Sequence, residues 1–144
     1  MNPDLIWVVA GALQRADGLW LMHQRPFEKH HGGLWEFPGG KIEVAEKPKE
    51  ALCRELYEEL GIRVTVDDCK PLGFEESLIQ SDVPAIVILL YRIARWDGEP
   101  AALEGESVGW FAPDEIERLH KPPLDQRLTR RLFERGSSYA GHEQ

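Results

Sequence analysis

One acidic segment constrains this chain more than any other part of its sequence. Residues 40–62 read GKIEVAEKPKEALCRELYEELGI, and they carry leucines at helical spacing between two glycines. Because successive residues of an α-helix lie about 100° apart, these leucines form one apolar stripe. The stripe consists of Leu52, Leu56 and Leu60. Pro48 suits the first turn of such a helix and Gly61 suits its C-cap, so the sequence predicts a helix over about 48–60.

The same helix carries carboxylates beside its apolar stripe. Glu59 lies about 40° from Glu55 around the helix axis, and Glu58 lies about 60° to the other side. Like charges at this spacing destabilise a helix, whereas a divalent cation among them would reverse the effect. Mg²⁺ takes oxygen ligands, commonly carboxylates together with waters and substrate phosphates. The cluster therefore indicates either a metal-binding edge that faces a cleft or an ordinary solvated acidic face.

The spacing of particular residues through the segment favours the metal-binding interpretation. The residues that reproduce every fixed position of the Nudix box are Gly40, Glu46, Arg54-Glu55-Leu56, Glu58-Glu59 and Gly61-Ile62. The chain therefore resembles the Nudix hydrolases, which cleave nucleoside diphosphates linked to another group. The flanking sequence LWEFPGGK at 34–41 and the later motif around Glu104 look like the MutT branch, which sanitises oxidised nucleoside triphosphates. The resemblance extends from about Trp7 to Phe133.

The box supplies the expected metal-binding and catalytic groups. We expect Glu55, Glu58 and Glu59 to bind Mg²⁺, for which Mn²⁺ could substitute. The resemblance implies that the backbone carbonyl of Gly39 is a further ligand. It also matches Glu104 to a carboxylate from a distant loop that binds metal or acts as base, the alternative being an exposed loop acid. The spacing leaves open which of Glu55, Glu58 and Glu104 takes the proton from water.

Other residues of the box are expected to be structural. Glu46 should support the loop–helix–loop through an ion pair with Arg54 or as a cap. The glycines at Gly39 and Gly40 are expected to form a turn, where they allow positive φ and close backbone approach to a ligand. Gly61 should end the helix.

Phosphate and base recognition are predicted outside the helix. In the matched MutT positions, Arg25 and Lys41 both approach phosphate; either could instead be a surface charge. The ring of Phe37 could stack on a purine or belong to the core.

Asp125 is the main departure from the MutT pattern, which has an asparagine here that reads the oxidised guanine. An ionised aspartate only accepts hydrogen bonds, so it would favour donor edges such as guanine N1–H with N2–H₂ or the cytosine 4-amino group. The substitution weakens the assignment to 8-oxo-dGTP and leaves modified cytosine triphosphates open. Alternatively, Asp125 could be a helix N-cap.

Alternating strands and helices predict an α/β fold. Strands are predicted at 5–13, 19–24, 34–37, 63–66, 71–78, 85–94 and 107–111, and helices at 48–60, 113–119 and 124–135, with a disordered tail from about Gly136. The first two strands should form a hairpin, and a turn is expected at Gln80-Ser81-Asp82. The run 85–94 is too continuously apolar for a one-sided strand, so we expect it in the middle of the sheet. These layers predict an α/β/α sandwich around a mixed, partly antiparallel sheet, as the resemblance also implies.

Composition restricts the classes of partner. The 144 residues are 42% hydrophobic and predict one domain over 1–144. A net charge of −8 repels polynucleotides, so the expected partner is a nucleotide and no nucleic-acid polymer. There is no run of about 18 apolar residues for a membrane span, and Cys53 and Cys69 form neither a disulfide framework nor a metal pattern. We expect a cytoplasmic monomer or homodimer.

These observations predict a Mg²⁺-dependent pyrophosphohydrolase for nucleotide-pool sanitation and thus DNA repair. It would convert an oxidised or modified nucleoside triphosphate, with 8-oxo-dGTP as the family's example, into monophosphate and pyrophosphate. A different substrate, such as a dinucleotide polyphosphate or a nucleotide sugar, is an alternative. A nucleotide-sensing module without hydrolysis is another.

Overall fold

A computed structural model of the protein describes residues 5–77 and 84–142, with side chains as far as residue 134. The strands are Ile6–Leu13 (β1), Trp20–Gln24 (β2), Trp35–Glu36 (β3), Gly39–Lys41 (β4), Cys69–Glu76 (β5), Ile86–Ile93 (β6) and Ser107–Phe111 (β7). The helices are Pro48–Leu60 (α1), Pro113–Arg118 (α2) and Pro123–His142 (α3), with a short 3-10 helix at Val66–Asp68. The turn predicted at Gln80-Ser81-Asp82 lies outside the described residues.

The described strands form two sheets. The larger sheet has the order β4-β1-β6-β5 and the smaller one β3-β2-β7. Strands β1 and β6 are parallel, with Val9 opposite Leu89, and the other neighbouring pairs are antiparallel. The mixed sheet is therefore confirmed, and β6 lies in its interior as predicted.

The apolar run of β6 is continuous because the strand is covered on both faces. Tyr91 and Ile93 pack in one hydrophobic cluster with the leucines of α1. Ile88 and Leu90 pack in a second cluster with side chains of α2 and α3. Successive side chains of a strand point to opposite faces, so a strand between two helical layers needs apolar residues at odd and even positions alike. The predicted α/β/α sandwich is confirmed.

Helix α1 has the predicted bounds because its ends are encoded locally. Pro48 occupies the first turn, and the side chain of Glu50 accepts a hydrogen bond of 3.0 Å from the Lys47 N–H. Gly61 adopts the left-handed conformation with φ 74°, and its N–H donates to the Tyr57 carbonyl at 2.9 Å. Four residues of the inner face are buried: Ala51, Leu52, Leu56 and Leu60.

The predicted hairpin of the first two strands is wrong. Strands β1 and β2 follow each other through the predicted turn, but they belong to different sheets and share an isolated bridge between Gln14 and Trp20. Both edges of β1 are used by β4 and β6. Strand β2 therefore takes its hydrogen-bonding partners from β3 and β7.

Other predicted boundaries also differ. Of the strand predicted at 63–66, only a single bridge between Arg63 and Asp97 forms, and the chain then enters the 3-10 helix. Strand β5 begins earlier than predicted, at Cys69. The backbone of α3 continues to His142, past the predicted end at Arg135 and through the segment for which disorder was expected. No helix in the described residues is long and apolar enough to cross a membrane.

Replacing Gly39 should test how closely β4 approaches β1. A Cβ at this position would lie 1.9 Å from the Val9 carbonyl oxygen, so Gly39→Ala should lower the free energy of unfolding by about 3 kcal/mol. Urea denaturation in EDTA measures this.

Gly18→Ala is the matched control. Gly18 has φ 91° but no atom within 4 Å of an added Cβ, so backbone strain alone should cost about 1 kcal/mol. Equal losses for the two variants would contradict the steric explanation for Gly39.

Candidate active site

Two glycines allow strand β4 to lie directly against helix α1. A Cβ on Gly40 would lie 2.3 Å from the carboxylate of Glu55. The N–H of Gly39 donates a hydrogen bond of 3.0 Å to Glu59 Oε1. The expectation of a turn with positive φ is wrong here, because both glycines belong to β4 and neither has positive φ. Close approach is what requires glycine.

Burial disfavours the charged form of two carboxylates on α1. Burial raises the pKa of Glu59 to about 8, and the charges of Glu36, Glu55 and Glu104 act in the same direction. Burial also raises the pKa of Glu55, against the opposing effect of Arg54. Carboxyl groups are therefore concentrated where β4 meets α1, and burial opposes their ionisation as long as no cation lies beside them.

Arg54 joins the acidic residues of the box. Its guanidinium donates to both carboxylate oxygens of Glu46, at 2.7 and 2.9 Å, so the predicted ion pair is present. It also donates to Glu55 and to Glu58, each at 2.9 Å. A further hydrogen bond of 3.0 Å reaches the carbonyl of Lys41. Arg54 thus fastens β4 and the following loop to α1, and its hydrogen bond is the main reason that the pKa of Glu46 falls to about 2.

The donor set suits a hard divalent cation. Among the side chains that the structure describes, in residues 5–77 and 84–134, no three from His, Cys, Asp or Glu converge on one point as they stand, and Arg54 binds one oxygen each of Glu55 and Glu58. The remaining groups are carboxylate oxygens, which Mg²⁺ prefers. The raised pKa values of Glu55 and Glu59 are what a nearby cation would lower. These residues therefore fit a hard divalent cation.

The loop between β6 and β7 brings Glu104 to the same region. The N–H of Leu103 donates to the Glu59 carbonyl at 2.9 Å, and that of Ala101 donates to the Leu60 carbonyl at 3.0 Å. These hydrogen bonds fasten the loop to the last turn of α1. Glu104 is exposed, and its charge contributes to the raised pKa values of Glu55 and Glu59.

Glu36 is a residue of this region that the sequence analysis did not single out. It lies on β3, accepts a hydrogen bond of 3.0 Å from Arg25, and raises the pKa values of Glu59 and Asp125. Its cross-strand neighbour His23 is buried, with Nδ1 3.9 Å from Glu36 Oε2 and no hydrogen-bond partner for either ring nitrogen. Glu36 could have been found from the sequence, because it lies within the motif LWEFPGGK. His23 could not, because only the pairing of β2 with β3 places it opposite Glu36.

The two predicted phosphate-binding cations lie in different surroundings. Arg25 is tied to Glu36 and to the carbonyl of His30, the latter at 2.9 Å. Lys41 is exposed at the edge strand β4 and lines a groove that also includes Trp7 and Val44. Arg25 is therefore connected to the acidic cluster, because it binds Glu36 and the charge of Glu36 acts on Glu59.

Phe37 and Asp125 are joined by a hydrogen bond. The N–H of Phe37 donates to Asp125 Oδ2 at 3.1 Å, and both side chains are buried. The ring of Phe37 belongs to a hydrophobic core cluster, which was the alternative to stacking on a purine. The alternative of Asp125 as an N-cap is wrong, because α3 begins at Pro123 and places Asp125 inside its first turn.

Burial raises the pKa of Asp125 to about 8, with the charge of Glu36 acting in the same direction. Asp125 is therefore largely a neutral carboxylic acid near pH 7, which both donates and accepts hydrogen bonds. The raised pKa thus favours the neutral form over the ionised, acceptor-only aspartate expected from the sequence. A protonated aspartate has the mixed donor and acceptor character of the asparagine that it replaces.

Asp125→Asn should change how stability depends on pH. Because the folded pKa lies above the unfolded one, ionisation of Asp125 opposes folding, so its cost is absent below about pH 4 and grows up to about pH 8. Relative to wild type, Asp125→Asn should gain stability over this range, on the order of a few kcal/mol. Urea denaturation of both proteins at several pH values measures the difference, and a difference independent of pH would contradict the assignment.

The comparisons with known proteins agree with this geometry. A family model described as the NUDIX domain matches residues 5–132. The CTP pyrophosphohydrolase of Escherichia coli strain K12 is 37% identical over 123 residues, which cover 84% of this chain and 86% of that protein. The 8-oxo-dGTP diphosphatase of Haemophilus influenzae is 30% identical over 133 residues, which cover 92% and 95%.

A solved structure is also similar along most of its length. The solution structure of the E. coli ORF135 protein aligns with a TM-score of 0.79 and 32% identity, and covers 91% of this chain and 90% of that one. The matched domain includes the whole acidic box and the elements that hold it. The chain therefore belongs to the Nudix hydrolases and is similar to those of the MutT type.

Proposed function

We propose that the protein is a Mg²⁺-dependent pyrophosphohydrolase that converts a nucleoside triphosphate into a monophosphate and pyrophosphate. The observation that carries the proposal is the approach of β4 to α1, which gathers Glu55 and Glu59 beside Gly39 and Gly40. Two relatives, named as a CTP pyrophosphohydrolase and an 8-oxo-dGTP diphosphatase, support the proposal. A role in removing damaged nucleotides, and a cytoplasmic location, stay predictions from the sequence.

The reaction replaces one phosphorus–oxygen bond with another. A water oxygen bonds to phosphorus at the α–β anhydride, the bridging bond breaks, and a carboxylate takes the proton of the water. Glu55, Glu58 and Glu59 would hold Mg²⁺, with the Gly39 carbonyl as a further ligand. When bound, the metal ion would neutralise charge on the phosphates and lower the pKa of the attacking water.

The protein's own residues have distinct tasks in this proposal. Arg54 keeps Glu55 and Glu58 oriented, since it contacts both. Glu104 enters from the loop and, with Glu55 and Glu58, remains a candidate for the base. Arg25 would exchange its hydrogen bond with Glu36 for one with a substrate phosphate, because a guanidinium presents several donors to oxyanions.

The substrate base is proposed on the chemistry of Asp125. In its neutral form the side chain can pair with an edge that offers both a donor and an acceptor, so an oxidised guanine nucleotide such as 8-oxo-dGTP remains our first candidate. A cytosine nucleotide is the second candidate. The 37% identical relative named CTP pyrophosphohydrolase favours it, and Glu36, which acts electrostatically on Asp125, adds an acceptor for the 4-amino group.

Glu58→Gln should test the metal-dependent mechanism. The amide keeps the shape of the side chain but loses its charge, so kcat should fall at least about 100-fold through the weaker metal site, while the thermal unfolding midpoint changes little because the side chain is about half exposed. Glu117→Gln, on the exposed surface of α2, removes the same charge and should keep full activity. Unchanged turnover by Glu58→Gln would refute the mechanism.

A screen of pyrophosphate release, ranked by kcat/KM, should identify the base. Canonical and oxidised nucleoside triphosphates would be compared in wild type and Asp125→Asn. If Asp125 acts as a neutral acid, the variant should keep the ranking at pH 7 and should lose less activity than wild type above pH 8. A reversed ranking at pH 7 would show that the ionised aspartate reads the base.

A further inference from the structure

A second polar site lies away from the acidic cluster. An open groove of about 770 Å³ is lined by the turn after β1, the segment after α1, the end of β6 and the residues that follow it. Its cationic side chains are Arg15, Arg63, Arg92 and Arg95, and Trp96 forms part of the wall; we call it the arginine groove. None of the glutamates of the candidate active site lines it.

The arginine groove is positive in a chain that is otherwise strongly acidic. Its lining holds four arginines and two aspartates, Asp68 and Asp97, and Asp17 just outside the lining pairs with Arg15, which leaves an excess of one positive charge. The whole chain, in contrast, has a net charge of −8. A concave surface that concentrates one sign of charge attracts ligands of the opposite sign. The local charge therefore favours an anion.

Two of the arginines are available to such a ligand. Arg15 is paired with Asp17 at 2.6 Å and Arg95 with Asp68 at 3.4 Å. Within the part of the chain that the structure describes, Arg63 and Arg92 form no ion pair with a carboxylate.

The same two arginines are held in place by aromatic rings. The guanidinium of Arg63 lies 4.8 Å from the centre of the Tyr57 ring, and that of Arg92 lies 5.4 Å from the Trp20 ring. Arg92 also donates a hydrogen bond of 3.0 Å to Gln14. Stacking fixes the plane of a guanidinium and leaves N–H groups at its edge for oxyanions.

Backbone hydrogen bonds fix the walls of the groove. Arg63 and Asp97 exchange two of them, both at 2.9 Å. The N–H of Ala94 donates to the Asp68 carbonyl at 3.0 Å, and the hydroxyl of Thr65 donates to Asp68 at 2.9 Å. Segments far apart in sequence thus form one frame, so little ordering would accompany binding.

We propose that the arginine groove is an accessory binding site for a di- or triphosphate anion. Guanidinium forks match the geometry of phosphate oxygens, and a short anion would meet the positive groove without covering the acidic surface. A long polynucleotide would cross that surface and be repelled. The proposal is independent of the proposed function, since none of these arginines belongs to the candidate active site.

Isothermal titration with inorganic tripolyphosphate in EDTA and low salt tests the site. Chelation leaves the acidic cluster without divalent cations, so binding there is disfavoured. We expect tripolyphosphate to bind wild type and to change tryptophan fluorescence through Trp96. Arg63→Ala and Arg92→Ala should each weaken binding about tenfold, the effect of one charge-assisted hydrogen bond.

The controls separate this site from general charge effects. Arg118→Ala removes the same charge from α2, where Arg118 pairs with exposed Asp114 at 3.6 Å, and should change Kd less than twofold. Arg63→Lys and Arg92→Lys retain the charge but lose the fork, so both should still weaken binding. Circular dichroism checks that each variant is folded. If Arg92→Ala is unfolded, the comparison of Arg63→Ala with wild type tests the site by itself.

Several outcomes would overturn the proposal. They are no binding in EDTA, an equal loss in Arg118→Ala, or clearly tighter binding in Glu59→Gln, which would place the anion beside the acidic cluster. A nucleoside triphosphate that binds as tightly as tripolyphosphate would support recognition of the phosphates, whereas equal binding of a nucleoside without phosphates would contradict it. An oligonucleotide that displaces tripolyphosphate, and whose own tighter binding is weakened by Arg63→Ala, would assign the groove to nucleic acid instead.

Discussion

The contact between edge strand β4 and helix α1 is the feature on which the candidate site depends. Two residues without side chains let the strand backbone reach the carboxylates, and Arg54 closes the contact from the other side with hydrogen bonds to Glu46, Glu55 and Glu58. One guanidinium cannot neutralise all of these acids. The excess negative charge is the physical reason why the site suits a divalent cation and, through it, a polyphosphate.

Burial decides the chemistry of the acids as strongly as their identity does. Glu58 is half exposed, Glu59 is more deeply placed and Asp125 is buried, and burial raises the pKa of Glu59 and of Asp125 to about 8. An aspartate in such surroundings resembles an amide in its hydrogen bonding. The departure from the asparagine of the MutT pattern is therefore smaller than the change of residue indicates.

The sequence predictions succeeded where the interactions are local in the chain and failed where they join distant segments. Helix α1 was predicted to the residue because a proline, a glycine and an apolar stripe specify it within one short segment. The hairpin failed because strand pairing is a choice among distant partners, and β1 is better satisfied by β4 and β6. His23 escaped notice for the same reason, since its relation to Glu36 arises from sheet register.

The sequence by itself determined the acidic box, the helix that presents it and the family to which the chain belongs, because these depend on spacing along one segment. Only the tertiary structure decided which acids are buried, that Glu36 joins them, and that arginines from four separate positions line one groove. Burial and electrostatic coupling depend on distances between residues that are remote in the chain. No local pattern encodes those distances, so folding alone fixes them.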